Sequence, residues 1–125
     1  MEWDIEFTGE FERWWNGLSE DEQVSVDSAV RLLAMVGPTL RHPYSSGVSS
    51  SRHSRMRELR VQHQGRPYRV LYAFDSRRVA LLLVAGDKTG NARWYEEYVP
   101  LADRLYDEHL AALKKEGVSD GKEVP

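Results

Sequence analysis

Three segments with the pattern of β-strands follow one another at the centre of the chain: MRELRVQH (56–63), PYRVLYAF (67–74) and VALLLVAG (79–86). The dipeptide QG lies in the first connection and DSRR forms the second, and connections this short join antiparallel neighbours. The third segment is apolar at nearly every position, which is typical of an interior strand covered on both faces. The sequence therefore predicts a three-stranded antiparallel meander against which the other elements pack.

The residues before the meander predict one strand and a helical hairpin. Residues 3–7 alternate apolar and acidic side chains, so a short strand should turn its apolar residues inward: Trp3, Ile5 and Phe7. Helices are predicted over 9–17 and 20–36 from apolar residues at helical spacing. Capping residues precede both helices: Thr8 for the first, and Ser19 with Glu22 in capping-box positions for the second.

The remaining segments predict a loop and a C-terminal helical region. Residues 37–54, rich in Ser, Gly and Pro, are expected to form a long loop. Because proline suits only the first turn of a helix, Pro100 predicts a short helical turn at 92–98 and a longer helix at 100–116. The order β-α-α-β-β-β-α predicts an α+β fold, with an antiparallel sheet packed against the N-terminal hairpin and the C-terminal helix.

Length and composition narrow the class of protein further. The 125 residues are expected to form a single domain over 1–116, followed by a flexible tail over 117–125. The chain has no cysteine and its four histidines match no zinc-binding spacing, so we expect no metal and no cofactor. Its start lacks a signal-peptide pattern and its longest apolar run is too short to cross a bilayer, so a cytoplasmic protein without membrane contact is expected.

Charge is distributed unevenly along the chain. The formal net charge is −3, yet residues 52–93 hold ten Lys and Arg against three Asp and Glu, a local balance of +7. The segments before and after are acidic. A local basic field can bind a polyanion whatever the overall charge. The alternative is that the acidic helices neutralise the basic strands.

The register of the first hairpin decides what the strand arginines face. If QG is a two-residue turn, with His63 opposite Arg66, then Arg60 lies directly opposite Arg69 on one face of the sheet. Like charges in this position repel each other, so the pair calls for a bound anion, and the planar fork of arginine suits phosphate. The alternative is pairing with Glu58 or with an acid from a helix.

Basic and aromatic side chains also meet after the third strand. In DKTGNARWYEEY (87–98), Lys88 and Arg93 are followed at once by aromatic residues, of which Tyr95 is the candidate for the site and Trp94 or Tyr98 for the core. Cations beside aromatic rings suit single-stranded nucleic acid, whose phosphates meet the charges while its bases stack. Further candidate substrate contacts lie on or near the hairpin: Arg57, Arg66 and His53, the last of which is equally well an exposed loop residue.

Two stretches resemble a known family. MRELRVQHQGRPYRVLYAFD and LLLVAGDKTGNARWYEEYVPLADRLYDEHL are similar to the phage-derived, HigB-like branch of the RelE/ParE toxin superfamily, and the resemblance covers about residues 3–116. It implies the toxin of a type II toxin–antitoxin pair, which typically cleaves mRNA in the ribosomal A site. The basic and tyrosine positions of RelE-type sites fall on four residues of this chain: Arg60, Arg69, Lys88 and Tyr95.

The resemblance also implies a mechanism and partners. The ribose 2′-hydroxyl would attack the adjacent phosphate without a metal, with Arg69 and Lys88 stabilising the developing charge, Arg60 positioning the backbone, and Tyr95 or His53 moving a proton. The implied partners are a cognate helix-turn-helix antitoxin, mRNA with the ribosome, and operator DNA bound only through the antitoxin complex. The alternatives are a ParE-like gyrase inhibitor, a degenerate toxin that acts as an antitoxin-bound autoregulator, and a plain RNA-binding module. Where some relatives carry a further basic residue, this chain has Glu58.

Overall fold

The computed structural model describes residues 2–117 and contains one five-stranded sheet with helices on both faces. The elements in chain order are β1 (Asp4–Phe7), α1 (Gly9–Asn16), α2 (Glu20–Val36), a 3-10 turn (Gly37–Thr39), β2 (Ser45–Gly47), β3 (Arg57–His63), β4 (Arg66–Phe74), β5 (Val79–Asp87) and α3 (Trp94–Lys115). The strand order across the sheet is β1-β5-β4-β3-β2. The predicted α+β class and the central meander are therefore confirmed.

The sheet is mixed rather than wholly antiparallel, which corrects the prediction. β1 pairs in parallel with β5, whereas the pairs β2–β3, β3–β4 and β4–β5 are antiparallel. The fifth strand, β2, lies inside the segment predicted as a loop. Its three residues carry no apolar alternation, so only pairing with β3 defines it, as in the alignment of Ser45 with Leu59.

The C-terminal helix is continuous, so the predicted break before Pro100 is wrong. Pro100 is the seventh residue of α3 and removes one backbone hydrogen bond, at a cost of about 3 kcal/mol in a helix interior. Burial on the sheet offsets this cost, because the side chains of α3 that face the strands are almost fully covered: Trp94, Val99, Ala102 and Tyr106.

Two apolar layers hold the sheet between the helices. One layer joins the sheet to α1 and α2, and its most buried members include Val26, Leu33 and Val70. The other joins the opposite face to α3. β5 is buried on both faces, as its composition predicts. The predicted caps at Thr8 and Ser19 are present, but Phe7 is 53% exposed rather than inward; it lies on the edge strand β1, with its ring 6.1 Å from that of Phe11.

The predicted flexible tail, 117–125, lies outside the described residues except for Gly117, so the predicted domain boundary remains a prediction. Among residues 2–117, no helix is long and apolar enough to cross a membrane.

Trp94 fixes the start of α3 above a strand residue that has no side chain. A Cβ atom placed on Gly86 of β5 would lie 2.8 Å from Nε1 of Trp94, closer than such atoms approach in real structures. The indole is buried and stacks on the ring of Tyr98 at 4.8 Å between centroids. The contact between Gly86 and Trp94 therefore sets how closely α3 approaches the sheet.

The turn between β4 and β5 is held by a buried carboxylate. Asp75 is fully buried, accepts hydrogen bonds from the backbone and side chain of Arg77, and lies 2.9 Å from Nε2 of His109 on α3. Burial alone raises the pKa of Asp75, but the hydrogen bonds from His109 and Arg77 outweigh it and lower the pKa to about 2. The carboxylate thus links the hairpin to α3.

Replacing Gly86 by alanine should destabilise the fold, because the new methyl group overlaps Trp94. We expect Gly86→Ala to lower the free energy of unfolding by about 1–3 kcal/mol, the usual range for overpacking. The control is Gly47→Ala in β2, where a Cβ would lie 3.8 Å from Arg57 and meet no overlap. Urea unfolding of the two variants measures the difference, and equal stabilities would contradict the close contact at Gly86.

The charge of Asp75 should make the free energy of unfolding depend on pH in the acidic range. The folded-state pKa of about 2 is below the ordinary value of 3.8, so this stabilisation is complete above pH 3.8 and is lost as the pH falls towards 2. Asp75→Asn should remove about 2 kcal/mol at neutral pH and flatten this acid dependence. Asp27→Asn, which breaks an exposed pair with Arg31, should cost less than about 0.5 kcal/mol. Chemical unfolding at a series of pH values tests both expectations.

Candidate active site

The hairpin register that the arginine argument requires is present. His63 pairs with Arg66, and Arg60 is the direct partner of Arg69. The two turn residues, Gln64 and Gly65, both have positive φ, of 49° and 78°, as a two-residue type I′ turn demands. The two arginines therefore lie side by side on the face of the sheet that carries α3.

Glu58 lies between these arginines and pairs with both. It is two residues before Arg60 on β3, so it shares that face. Its Oε1 is 3.4 Å from Nε of Arg69, and its Oε2 is 3.4 Å from an Nη atom of Arg60. Glu58 is only 6% exposed. From the sequence, Glu58 is predicted only as a pairing alternative and not as a site residue, although its spacing from Arg60 places it on the same face of the sheet.

Tyr95 and Lys88 complete the group. The Tyr95 hydroxyl, from the first turn of α3, donates a hydrogen bond of 2.5 Å to Oε1 of Glu58. Nζ of Lys88, just beyond β5, lies 5.2 Å from the centre of the Tyr95 ring. The four residues assigned by resemblance therefore surround one carboxylate. We call this set the Glu58 cluster: Glu58, Arg60, Arg69, Lys88 and Tyr95.

The electrostatics of the Glu58 cluster favour an anion. Three cations surround a single carboxylate, so the set is net positive. Burial, followed by repulsion from Arg69, lowers the pKa of Lys88, although Glu58 opposes this. Burial, followed by the hydrogen bond to Glu58, raises the pKa of Tyr95. Tyr95 is therefore a hydrogen-bond donor here and is poorly suited to act as a base.

A surface cavity gives access to the arginine pair. Its volume is about 310 Å³, and it is lined by Pro43, Tyr44, Arg60, Gln62 and Arg69. Arg69 is only 4% exposed and donates from Nη1 to the carbonyl of Tyr68 at 2.9 Å. Its Nε has no hydrogen-bond partner among the described residues. An anion in the cavity would thus meet Arg60 at the rim and Arg69 at the floor.

Two other predicted substrate contacts lie on the hairpin but point elsewhere. Arg57 lies on the opposite face, where its Nε donates to the Ser45 hydroxyl at 3.0 Å and an Nη donates to the Leu40 carbonyl at 3.3 Å. Arg66 lies near Glu22 and Asp87, at 3.5 and 3.3 Å. Neither belongs to the Glu58 cluster, and both hold neighbouring segments together.

The remaining two predicted contacts lie along α3. Arg93 is exposed at its start and pairs with Glu96 at 3.0 Å. His53 bonds Asp107 at 2.7 Å, and Asp107 is twelve residues beyond Tyr95, or about 18 Å along the helix axis. The structure therefore places His53 away from the Glu58 cluster, in the contact that fastens the loop after β2 to α3.

The acidity of Tyr95 should report the contacts within the cluster. We expect Glu58→Gln to lower the pKa of Tyr95 and Arg69→Gln to raise it, because the carboxylate stabilises the phenol and the guanidinium stabilises the phenolate. Ultraviolet titration of tyrosinate measures the shift, with Tyr95→Phe identifying the contribution of Tyr95. An unchanged pKa in both variants would contradict the geometry of the cluster.

Comparison with known proteins places the chain in a family. Among solved structures, the protein matches a chain of the intact E. coli RelBE toxin–antitoxin complex. The two are 13% identical, with a TM-score of 0.43 over 67% of this chain and 94% of that one.

Two Mycobacterium tuberculosis proteins are more similar in sequence. "Putative toxin HigB3" is 44% identical over 102 residues, covering 81% of this chain and 88% of that protein. "Putative toxin HigB2" is 41% identical over 115 residues, covering 88% of this chain and 57% of that protein. Residues 13–107 match the family model described as "Phage derived protein Gp49-like". The chain therefore belongs to the phage-derived Gp49-like family.

Proposed function

We propose that this protein is the toxin of a type II toxin–antitoxin pair and cleaves mRNA by metal-free transesterification in the ribosomal A site. The observation that carries the proposal is the Glu58 cluster, in which Arg60, Arg69 and Lys88 surround one carboxylate beside an open cavity. The two HigB relatives named as toxins support the toxin role. The composition of the cluster supports the chemistry.

The cations account for phosphate binding. Arg60, whose side chain is 32% exposed, holds the phosphate at the cavity rim. Arg69 lies deeper, where exclusion of water strengthens its attraction for negative charge. Charge that develops on the phosphoryl oxygens is stabilised by such fixed donors, usually the largest contribution in sites of this kind.

Glu58 and Lys88 account for the proton transfers. The 2′-hydroxyl of the ribose attacks the adjacent phosphorus, its proton passes to the Glu58 carboxylate, and the bond from phosphorus to the 5′ oxygen breaks. Lys88, whose pKa is lowered by burial and by Arg69, gives a proton to the departing 5′ oxygen. The products are a cyclic phosphate and a free 5′-hydroxyl. Tyr95 orients Glu58 through their hydrogen bond.

The same proposal specifies partners. A cognate helix-turn-helix antitoxin holds the protein inactive in the cytoplasm, and operator DNA is bound only through that complex. The mRNA is presented by the ribosome. His53, Arg57, Arg66 and Arg93 take no part in the chemistry in this proposal, because each is committed to a contact outside the Glu58 cluster.

A second candidate is a member of the family without nuclease activity, either a gyrase inhibitor or an RNA-binding, antitoxin-bound autoregulator. One observation favours it. Glu58 already pairs with Arg60 and Arg69, so the cluster has an internal partner for its positive charge. The two candidates differ in whether RNA is cut.

Removing Lys88 should strongly reduce RNA cutting. We expect induction of the wild type to generate new mRNA 5′ ends, and Lys88→Ala to reduce their number by about 10²–10⁴-fold, the usual contribution of a general acid. Arg104→Ala on the exposed side of α3 makes the same charge change and should leave cutting intact. Transcriptome-wide mapping of 5′ ends at matched protein levels provides the measurement.

The outcomes separate the candidates. Growth inhibition by the wild type without new RNA ends would refute the nuclease and leave gyrase as the target to assay. Equal cutting by wild type and Lys88→Ala would refute the role given to Lys88. Arg69→Ala should behave like Lys88→Ala, and thermal unfolding of the purified variant shows whether the buried site still folds.

A further inference from the structure

Tyr44 is an exposed aromatic residue on a rigid support beside Arg60. Its side chain is 53% exposed. Its backbone is held from two sides, since its carbonyl accepts a hydrogen bond from the Arg60 N–H at 2.9 Å and its own N–H donates to the carbonyl of Arg41, also at 2.9 Å. The ring is therefore open to solvent, whereas the backbone that carries it is fixed relative to Arg60.

The next residue strengthens this support. Ser45 is fully buried, and its hydroxyl lies 2.6 Å from the hydroxyl of Tyr72 and accepts a hydrogen bond from Nε of Arg57 at 3.0 Å. Arg57 also donates to the Leu40 carbonyl, so it clamps the segment on both sides of Tyr44. Burial of these groups fixes the position of the backbone from which the Tyr44 side chain projects.

Tyr44 also forms a wall of the cavity that reaches the Glu58 cluster. The cavity has a volume of about 310 Å³, many times the space that one water molecule needs. Arg60 and Gln62 line it on the same face of β3. A second cavity, of about 400 Å³, lies between these residues and α2. Tyr44, Arg60 and Gln62 line both cavities. The ring therefore stands beside the arginine with space for a ligand next to it.

These features fit a nucleotide rather than an isolated phosphate. A phosphate needs only the cations, whereas a nucleobase needs an exposed aromatic face and polar groups for its edge. The Gln62 amide offers both a donor and an acceptor. We infer that Tyr44 stacks on the nucleobase next to the phosphate held by Arg60, with Gln62 at the edge of that base. The inference rests on the proposed function and identifies the part of the RNA that this face binds.

Stacking on one base should influence which sites are cut. Base–aromatic stacking contributes enough free energy to change binding by about 5- to 150-fold, and purines offer the larger face. We expect wild-type cut sites to prefer a purine at one fixed nucleotide near the cut. Tyr44→Ala should reduce cutting by about tenfold or more and remove that preference, whereas Tyr44→Phe should keep both.

The test is the same mapping of mRNA 5′ ends, with base composition tabulated around each cut. The matched control is Phe7→Ala, because Phe7 is also 53% exposed but lies on β1, at the opposite edge of the sheet. Thermal unfolding of purified Tyr44→Ala checks that the fold is retained. The control should cut as the wild type does.

The results for Tyr44→Ala decide whether Tyr44 stacks on a base. Cutting by Tyr44→Ala with unchanged number and base preference overturns the stacking role and leaves the proposed nuclease standing. A uniform loss at all sites, with no change of preference, assigns Tyr44 a structural role and also overturns the inference. A wild type that cuts no RNA refutes the proposed function, and the stacking role with it.

Discussion

The burial of one carboxylate between two arginines is the constraint on which the site depends. Moving a charge out of water costs several kcal/mol unless a partner compensates for it, and Glu58 compensates for Arg69 in a position where Arg69 is almost inaccessible. The pairing exists only in the observed register of β3 and β4. A shift of one residue would turn Arg60 and Glu58 towards the apolar layer under α2. The type I′ turn at Gln64 and Gly65 therefore positions the Glu58 cluster as well as closing the hairpin.

A row of residues across the sheet explains how the site is enclosed. Arg60, Arg69 and Gly86 are aligned as direct partners on β3, β4 and β5. Trp94 fills the space above Gly86, and Tyr95, the next residue of α3, reaches Glu58. The helix thus closes one end of the row while the end at Arg60 stays open to the cavity. A single arrangement therefore produces a buried arginine and an accessible arginine that share one carboxylate, to which Tyr95 also bonds.

Sequence reasoning predicted the parts that local patterns determine. Alternation and the QG turn were enough for the register, because a two-residue turn and a half-buried hairpin leave little choice. Positive charge alone predicted the site residues less well. Arg57 and Arg60 are three residues apart on β3, so their side chains lie on opposite faces of the sheet, and only Arg60 belongs to the Glu58 cluster. β2 and the unbroken α3 were missed for a common reason. Tertiary contacts stabilise a short strand without a pattern and a helix across Pro100, and neither effect is visible in a local window.

The contact between Gly86 and Trp94 has a consequence for how such a protein can diverge. A larger residue at position 86 fits without strain only if the indole moves or is exchanged for something smaller, so the two positions are expected to change together although they lie on different elements. Tyr95 follows Trp94 directly, and a compensated pair would still move the start of α3 relative to Glu58. Lineages that tolerate such exchanges would thereby change the geometry of the Glu58 cluster without replacing a polar residue. Apolar substitutions alone can therefore alter how Tyr95 meets Glu58, while every charged residue of the cluster stays in place.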